Sequence, residues 1–494
     1  MSTLTDLGNL TLIEALAALD ARDFSTVELT RAYLSQIERL DDQVNAVVEL
    51  NPEALDLARH LDDERARGEI RGPLHGIPIL LKDNIDTGDR MSTTAGSLAL
   101  AGSIAPDDAF VVKQLRRSGA LILGKTNLSE WANMRSSRSS TGWSSRGGQT
   151  ANAFDSARSP GGSSAGSGVA TALGMCAAAL GTETDGSVVI PASMNSLVGI
   201  KPSIGLVSRT GIIPISHTQD TAGPIARTVR DAAVLLSGMI GADGSDSKSI
   251  RSGTLGNDLG ALDAGALRGA RVGIDRTLCG SHEGIDAIIE QSINALRDCG
   301  AEVVDGIELS AHKELSEPED IVLYYELKSG LNAYLKRLVP NSPMRTLNDL
   351  IDFNINNAER VMPYFGQEHF ISARATGSLQ DPEYLKALSR CKTLAGRDGI
   401  DAALTRHRLD VLFAPTIGPA WPIDKINGDH RLACSSSPAA VAGYPHISVP
   451  GGFIHGLPVG VSFYAGYLDD VKIVQYAYAF EQQTQMRRVP PLAA

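Results

Sequence analysis

Apolar positions in the first 65 residues recur at helical spacing. Thr11, Leu12, Ile13 and Glu14 have the order of a capping box, and Leu12, Leu16 and Leu19 share one face. Ser25 to Glu28 repeats the device, and Leu29, Tyr33, Ile37 and Leu40 give the next apolar stripe. After Arg71 the period changes. Short apolar runs at Ile77–Leu81, Ala120–Leu123 and Val198–Ile200 are bounded by Gly or Pro and alternate with helical stretches. That alternation predicts an α/β sheet whose strands are mostly buried. Residues 241–265, rich in Gly, Ser and Asp, read as an exposed connection. Strands are expected again at Ala270–Ile274, Glu302–Val304, Val411–Ala414, Ile447–Val449 and Val459–Phe463. Helices are expected over Ile285–Cys299, most of 316–407 and Val471–Gln482. Because strands lie toward both ends, one domain over 1–494 is expected. Helices fill 1–65, the chemistry lies in 72–240, and the helical stretch 316–407 walls a pocket.

Composition narrows the function classes. The chain has 494 residues, 43% of them hydrophobic and 21% charged, with a net charge of −12. That balance is ordinary for a globular protein, and without a basic run it argues against nucleic acid as a partner. Five cysteines, odd in number and never in a C-x-x-C pair, argue against a disulfide framework or a zinc site and fit a reducing compartment. The N-terminus lacks a basic segment followed by an apolar one, and the most apolar stretch, Val169–Leu180, is too short to span a bilayer. A cytoplasmic protein with no membrane role is the expectation.

Three segments carry candidate chemistry: HGIPILLKDNIDT around Lys82, SPGGSSAGSG around Ser163, and LGTETDGSVVIP around Ser187. Between Ser164 and Leu180 nearly every residue is small, which reads as a tightly packed buried helix starting at the Gly161–Ser164 turn. Free N–H groups at such a start favour developing negative charge. A phosphate loop is disfavoured because the G-x-x-x-x-G-K-[S/T] spacing is absent. The second turn, Gly181–Ser187, can present a serine beside consecutive backbone N–H donors, which can lower a barrier by ~3 kcal/mol each. A serine hydroxyl needs a base, and lysine, with an ordinary pKa near ~10.4, serves only where its neutral form is favoured. The apolar run leading into Lys82 suits that requirement. The bland alternative makes Lys82 an ion-pair partner of adjacent Asp83. His75, His217 and His446 compete for the base, and a Ser187–His217–Asp220 triad is conceivable, though no G-x-S-x-G elbow surrounds Ser187. Cys176 reads as packing, and Asp220 and Thr221 as loop supports.

From Gly72 to about Arg230 the chain resembles the amidase signature family, with similarity reaching both ends. It is nearest in wording to the peptide-amidase branch, on T-E-T-D-G-S at 182–187, LGKTNLSEWAN at 123–133, SRGGQT at 145–150 and QDTAGP at 219–224. The resemblance implies one large α/β domain with a mixed, mostly buried central sheet covered by helices on both faces. It also implies an amide hydrolase working through an acyl-enzyme without cofactor or metal. By matching motifs, Ser187 would be the nucleophile, Ser163 (after a cis peptide bond) the relay and Lys82 the base. The N–H groups of Thr184, Asp185, Gly186 and Ser187 would hold the oxyanion, and Met134 and Ser164 would touch substrate. Most family members carry Asp and Gly where this chain has Glu183 and Asp185. Peptide C-terminal amides or aryl amides are the expected small-molecule substrates, with esters and carbamates accessible, on a monomer or homodimer. The alternative is an amidotransferase component delivering ammonia from glutamine to a partner.

Overall fold

Both capping boxes form. The Thr11 and Ser25 side chains accept from the N–H groups of Glu14 and Glu28, whose carboxylates return the bond, and the helices Leu12–Ala21 and Thr26–Val44 follow. The computed structural model describes residues 4–250, 259–338, 342–432 and 434–493. Thirteen strands occur among them. The first seven are β1 (Val47–Leu50), β2 (Pro78–Lys82), β3 (Leu121–Thr126), β4 (Trp143–Ser144), β5 (Gly148–Gln149), β6 (Ala178–Glu183) and β7 (Val198–Lys201). The remainder are β8 (Thr221–Ala226), β9 (Arg271–Asp275), β10 (Glu302–Ile307), β11 (Val411–Pro415), β12 (His446–Ile454) and β13 (Leu457–Tyr464).

Eleven of these form one sheet in the order β1-β3-β2-β6-β8-β7-β12-β13-β11-β9-β10, while β4 and β5 make a small separate hairpin. The sheet is mixed. Strands β3, β2 and β6 run parallel, as do β11, β9 and β10, and an antiparallel middle section joins the two groups. Every residue of β2, β3, β6, β8 and β11 is buried, so both faces are covered. The single large α/β domain with a mixed, buried sheet is therefore observed.

The strands expected from short apolar runs all form, with ends shifted by at most five residues. Five strands were not foreseen: β1, the hairpin strands β4 and β5, β6 and β8. β1 is a short edge strand, and β8 contains Gly223 and Pro224, which disguise it in the sequence. Gly223 lies so close to the Ile200 carbonyl of β7 that no Cβ could be accommodated. A correction concerns the small-residue stretch. Its helix spans only Ala165–Ala172, and Ala178–Glu183 is strand β6, inserted between β2 and β8. Gly174, at φ +72° and packed on the Gly8 backbone, helps end the helix.

Helices dominate 316–407, led by Ser316–Arg337 and Pro382–Lys392. The connection at 241–250 and 259–265 is largely exposed and irregular, and residues 251–258 lie outside the described residues. Among the described residues no helix is long and apolar enough to cross a membrane.

Candidate active site

Strands β2 and β6 lie side by side in parallel, which sets Lys82, the last residue of β2, beside Thr182. The Lys82 Nζ donates to Thr182 Oγ1 at 2.9 Å, to the Thr182 carbonyl at 3.2 Å and to Ser163 Oγ at 2.7 Å. Asn84 Nδ2 donates to the same threonine hydroxyl at 2.9 Å, holding it as part of the cradle. Lys82 and Ser163 are fully buried. Burial draws the lysine down to about 7, against a smaller upward pull from Asp220 and Glu183. Its ion-pair alternative is not realised. Asp83 pairs with Arg146 at 2.9 Å and accepts from the Thr94 hydroxyl, leaving Lys82 to hydroxyls and a carbonyl.

Ser163 sits after a cis Gly162–Ser163 peptide bond in the Gly-rich turn. The following N–H, that of Ser164, donates to the Ser187 carbonyl at 3.2 Å, tying the two serine turns together. Ser164 itself is fully buried, and its hydroxyl engages both the N–H and the carbonyl of Thr182 at 3.2 Å. It staples the turn to β6 and, like Ser163 and Lys82, lies behind the residues lining the cavity.

Ser187 is 8% exposed and lines a cavity of about 430 Å³ together with Met134, Gly162, Thr184, Asp185 and Ile190. Its hydroxyl makes no hydrogen bond to other described side chains, so it faces the cavity unspent. Gly186 has φ +77°, and a Cβ there would run into Ile190 Cδ1, so glycine is required for the turn to pass beneath the serine.

Three carboxylates brace this turn. Glu183 Oε2 accepts from the N–H groups of Val188 at 2.7 Å and Val189 at 3.1 Å. The Asp185 carboxylate accepts from the Ser436 and Ser437 hydroxyls, the latter at 2.6 Å. Asp220 accepts from Thr184 Oγ1 at 2.6 Å and from the N–H groups of Ile215 and Ser216 at 2.8 and 2.9 Å. Burial pushes the Asp220 carboxyl up to about 6. Glu183 and Asp185 thus have structural partners in the loop where the chain departs from the common family wording.

The histidine candidates go elsewhere. His75 Nε2 faces the Leu61 carbonyl at 3.0 Å. His217 pairs with Glu326 at 3.4 Å, and Asp220 is occupied by Thr184, so no His217–Asp220 couple forms. His446 is fully buried in the ladder opposite Lys201, and burial lowers it to about 3. Burial pushes the Cys176 thiol up to about 11, which fits packing.

Ser316, Glu319, Asp320 and Leu323 of one helix in 316–407 and His369 of another line the cavity. The aromatics of that stretch pack elsewhere. Tyr334 and Phe353 join one apolar cluster, and Tyr325 another. Sequence reasoning missed Glu319, Asp320, His369, Trp421 and Arg431. Only the periodicity of the Ser316 helix could have hinted at the first two, since they share a turn.

Fold and site together place the chain among the amide hydrolases, and comparison with known proteins agrees. The model of the amidase family matches residues 28–474, and the chain belongs to that family. It is 40% identical over 488 residues to the protein named Probable amidase of Arabidopsis thaliana, covering 97% of this chain and 90% of that one. The structure of native peptide amidase from Stenotrophomonas maltophilia superposes with a TM-score of 0.95 at 46% identity, covering 99% of this chain and 100% of that one. A glutamyl-tRNA(Gln) amidotransferase subunit of Thermoanaerobacter pseudethanolicus is 32% identical over 98% of each chain.

Proposed function

We propose that this protein hydrolyses carboxamides through an acyl-enzyme, with C-terminal peptide amides as its principal substrates and aryl amides, esters and carbamates within chemical reach. Ser187 Oγ attacks the carbonyl, and its proton passes through the Ser163 hydroxyl to neutral Lys82. The N–H groups of Thr184, Asp185, Gly186 and Ser187 hold the developing oxyanion. The proton then returns along the relay to the departing amine, and water repeats the sequence to release the acid. The observation that carries this reading is the 2.7 Å bond from a fully buried lysine to Ser163, in a cradle of hydroxyls and a carbonyl that keeps the neutral amine accessible. A reducing, cytoplasmic setting fits the five free cysteines.

The likeness to the glutamyl-tRNA(Gln) amidotransferase component keeps glutamine as a second candidate. Against it, Asp185 and buried Glu319 line the cavity with Ser187 and would repel a glutamine carboxylate, leaving only the exposed Arg138 and Arg431 to meet it. Incubating the purified chain with an N-acyl amino-acid amide and with glutamine separates the two. Release of ammonia from the peptide-type amide and not from glutamine is expected; the reverse defeats the proposal. A fluorophosphonate probe should modify Ser187 by mass spectrometry, and a Ser187→Ala variant that is still labelled equally moves the nucleophile elsewhere.

A further inference from the structure

The cavity beside Ser187 is sided in charge. Half-buried Asp185, two residues before the serine, and Glu319, only 8% exposed, both line it. At the mouth stand exposed Arg138, Arg431 and Asp320. Asp185 is held by two serine hydroxyls, a donor pair suited to an ionised carboxylate. Glu319 Oε1 accepts from Gln219 Nε2 at 2.8 Å, while Oε2 has no partner among the described residues. A side chain more than nine-tenths buried therefore turns an unpaired carboxyl oxygen toward the cavity. An oxygen so placed is free to accept from a cation entering the cavity.

We propose that Asp185 and Glu319 form a subsite for a cation on the acyl side of the substrate, so that the favoured amides carry an ammonium or guanidinium within about one residue's length of the scissile carbonyl. The inference rests on the amide-hydrolase reading and adds the substrate class. The remaining groups facing this pair do not replace the cation. Arg431 is exposed, makes no salt bridge to Glu319 among the described residues, and is the weakest of the influences on its carboxyl. His369 is bonded to the Tyr324 hydroxyl at 2.7 Å, His312 to Asp275 at 2.9 Å, and Lys82 to Ser163. Asp320 adds further negative charge along the entry path. Burial, with the charges of Asp185 and Asp320, holds the Glu319 carboxyl well above the usual range, against smaller downward pulls from Gln219 and Arg431. A substrate cation beside the pair favours the ionised Glu319 carboxylate, so its binding strengthens as pH rises.

The test compares matched amides on the intact chain. N-acetyl-lysinamide against N-acetyl-norleucinamide reads a side-chain cation, and leucinamide against N-acetyl-leucinamide reads an α-ammonium. At least one cationic member should show kcat/KM about tenfold above its neutral partner, mostly through KM, with KM falling as pH rises. Glu319→Gln should collapse that ratio by about tenfold. Calorimetry on Ser187→Ala reads binding of the same pairs without turnover. Equal binding of both members of both pairs overturns the subsite, whatever the turnover. Failure of the wild-type chain to hydrolyse any of these amides overturns the amide-hydrolase reading instead.

Discussion

Lys82 and Lys125 close neighbouring parallel strands, both fully buried, and their surroundings put that burial to different uses. Lys125 Nζ donates to the Ile85 carbonyl at 2.7 Å and to Thr93 Oγ1 at 2.9 Å. Burial lowers Lys125 as it does Lys82, but Asp83, Asp86, Asp89 and Glu49 all pull its ammonium back toward the charged form. Lys82 feels only Asp220 and Glu183 in that sense, and its neighbour Ser163 adjoins a second serine turn that opens on a cavity. Burial alone therefore does not make a base. A buried lysine becomes one where carboxylates are few and its partner hydroxyl leads to substrate.

Breaking the Lys82 side should give the largest effect. Lys82→Ala or Ser187→Ala should lower kcat by about 10⁴-fold or more, measured on a good amide, with the denaturation midpoint near wild type. Retention of a tenth of the activity in Lys82→Ala would remove it as the base. Breaking the Lys125 side should instead cost stability. Lys125→Met removes a charge that Asp83 and Asp86 face and leaves the Ile85 carbonyl and Thr93 hydroxyl without their buried donor, and should destabilise by about 3 kcal/mol in urea unfolding, while the folded fraction keeps the wild-type pH profile.

Two changes sharpen the contrast at smaller scale. Removing the hydroxyls of Ser436 and Ser437 together frees Asp185 and should lower kcat about tenfold, because the serine loop loses its clamp. Asp220→Asn removes a charge that favours the Lys82 ammonium. The lysine is then neutral at lower pH, so the acid limb of kcat/KM, near 7 in the wild type, should move downward. An upward move would show that Asp220 acts on the loop alone.

The contrast between the lysines also explains what could be read from the chain. Lys82, Ser163 and Ser187 lie in locally worded turns whose glycines have backbone reasons, as Gly186 shows at φ +77°. The strands around them were legible because fully buried strands are short apolar runs between turn residues. Strand β6 was not, since its Ala178, Ala179 and Leu180 lack β-branching and continue a run of small residues, so only pairing with β2 and β8 decides it. The braces were hidden for a different reason. Asp185 finds its hydroxyls 251 and 252 residues away, and Glu319 meets Gln219 across 100 residues. The contrast within the Ser163–Ser164 turn was hidden too, since Ser163 faces the base while the Ser164 hydroxyl turns to the Thr182 backbone, a difference of side-chain direction.

The most direct test of the account is the titration of Lys82 itself, followed by the ¹⁵N resonance of its side-chain nitrogen and assigned by its loss in Lys82→Arg. The account predicts a single transition near 7, with a neutral amine above it and the acid limb of kcat/KM at the same pH. An ammonium that persists beyond pH 9 in an enzyme fully active at pH 8 would contradict it.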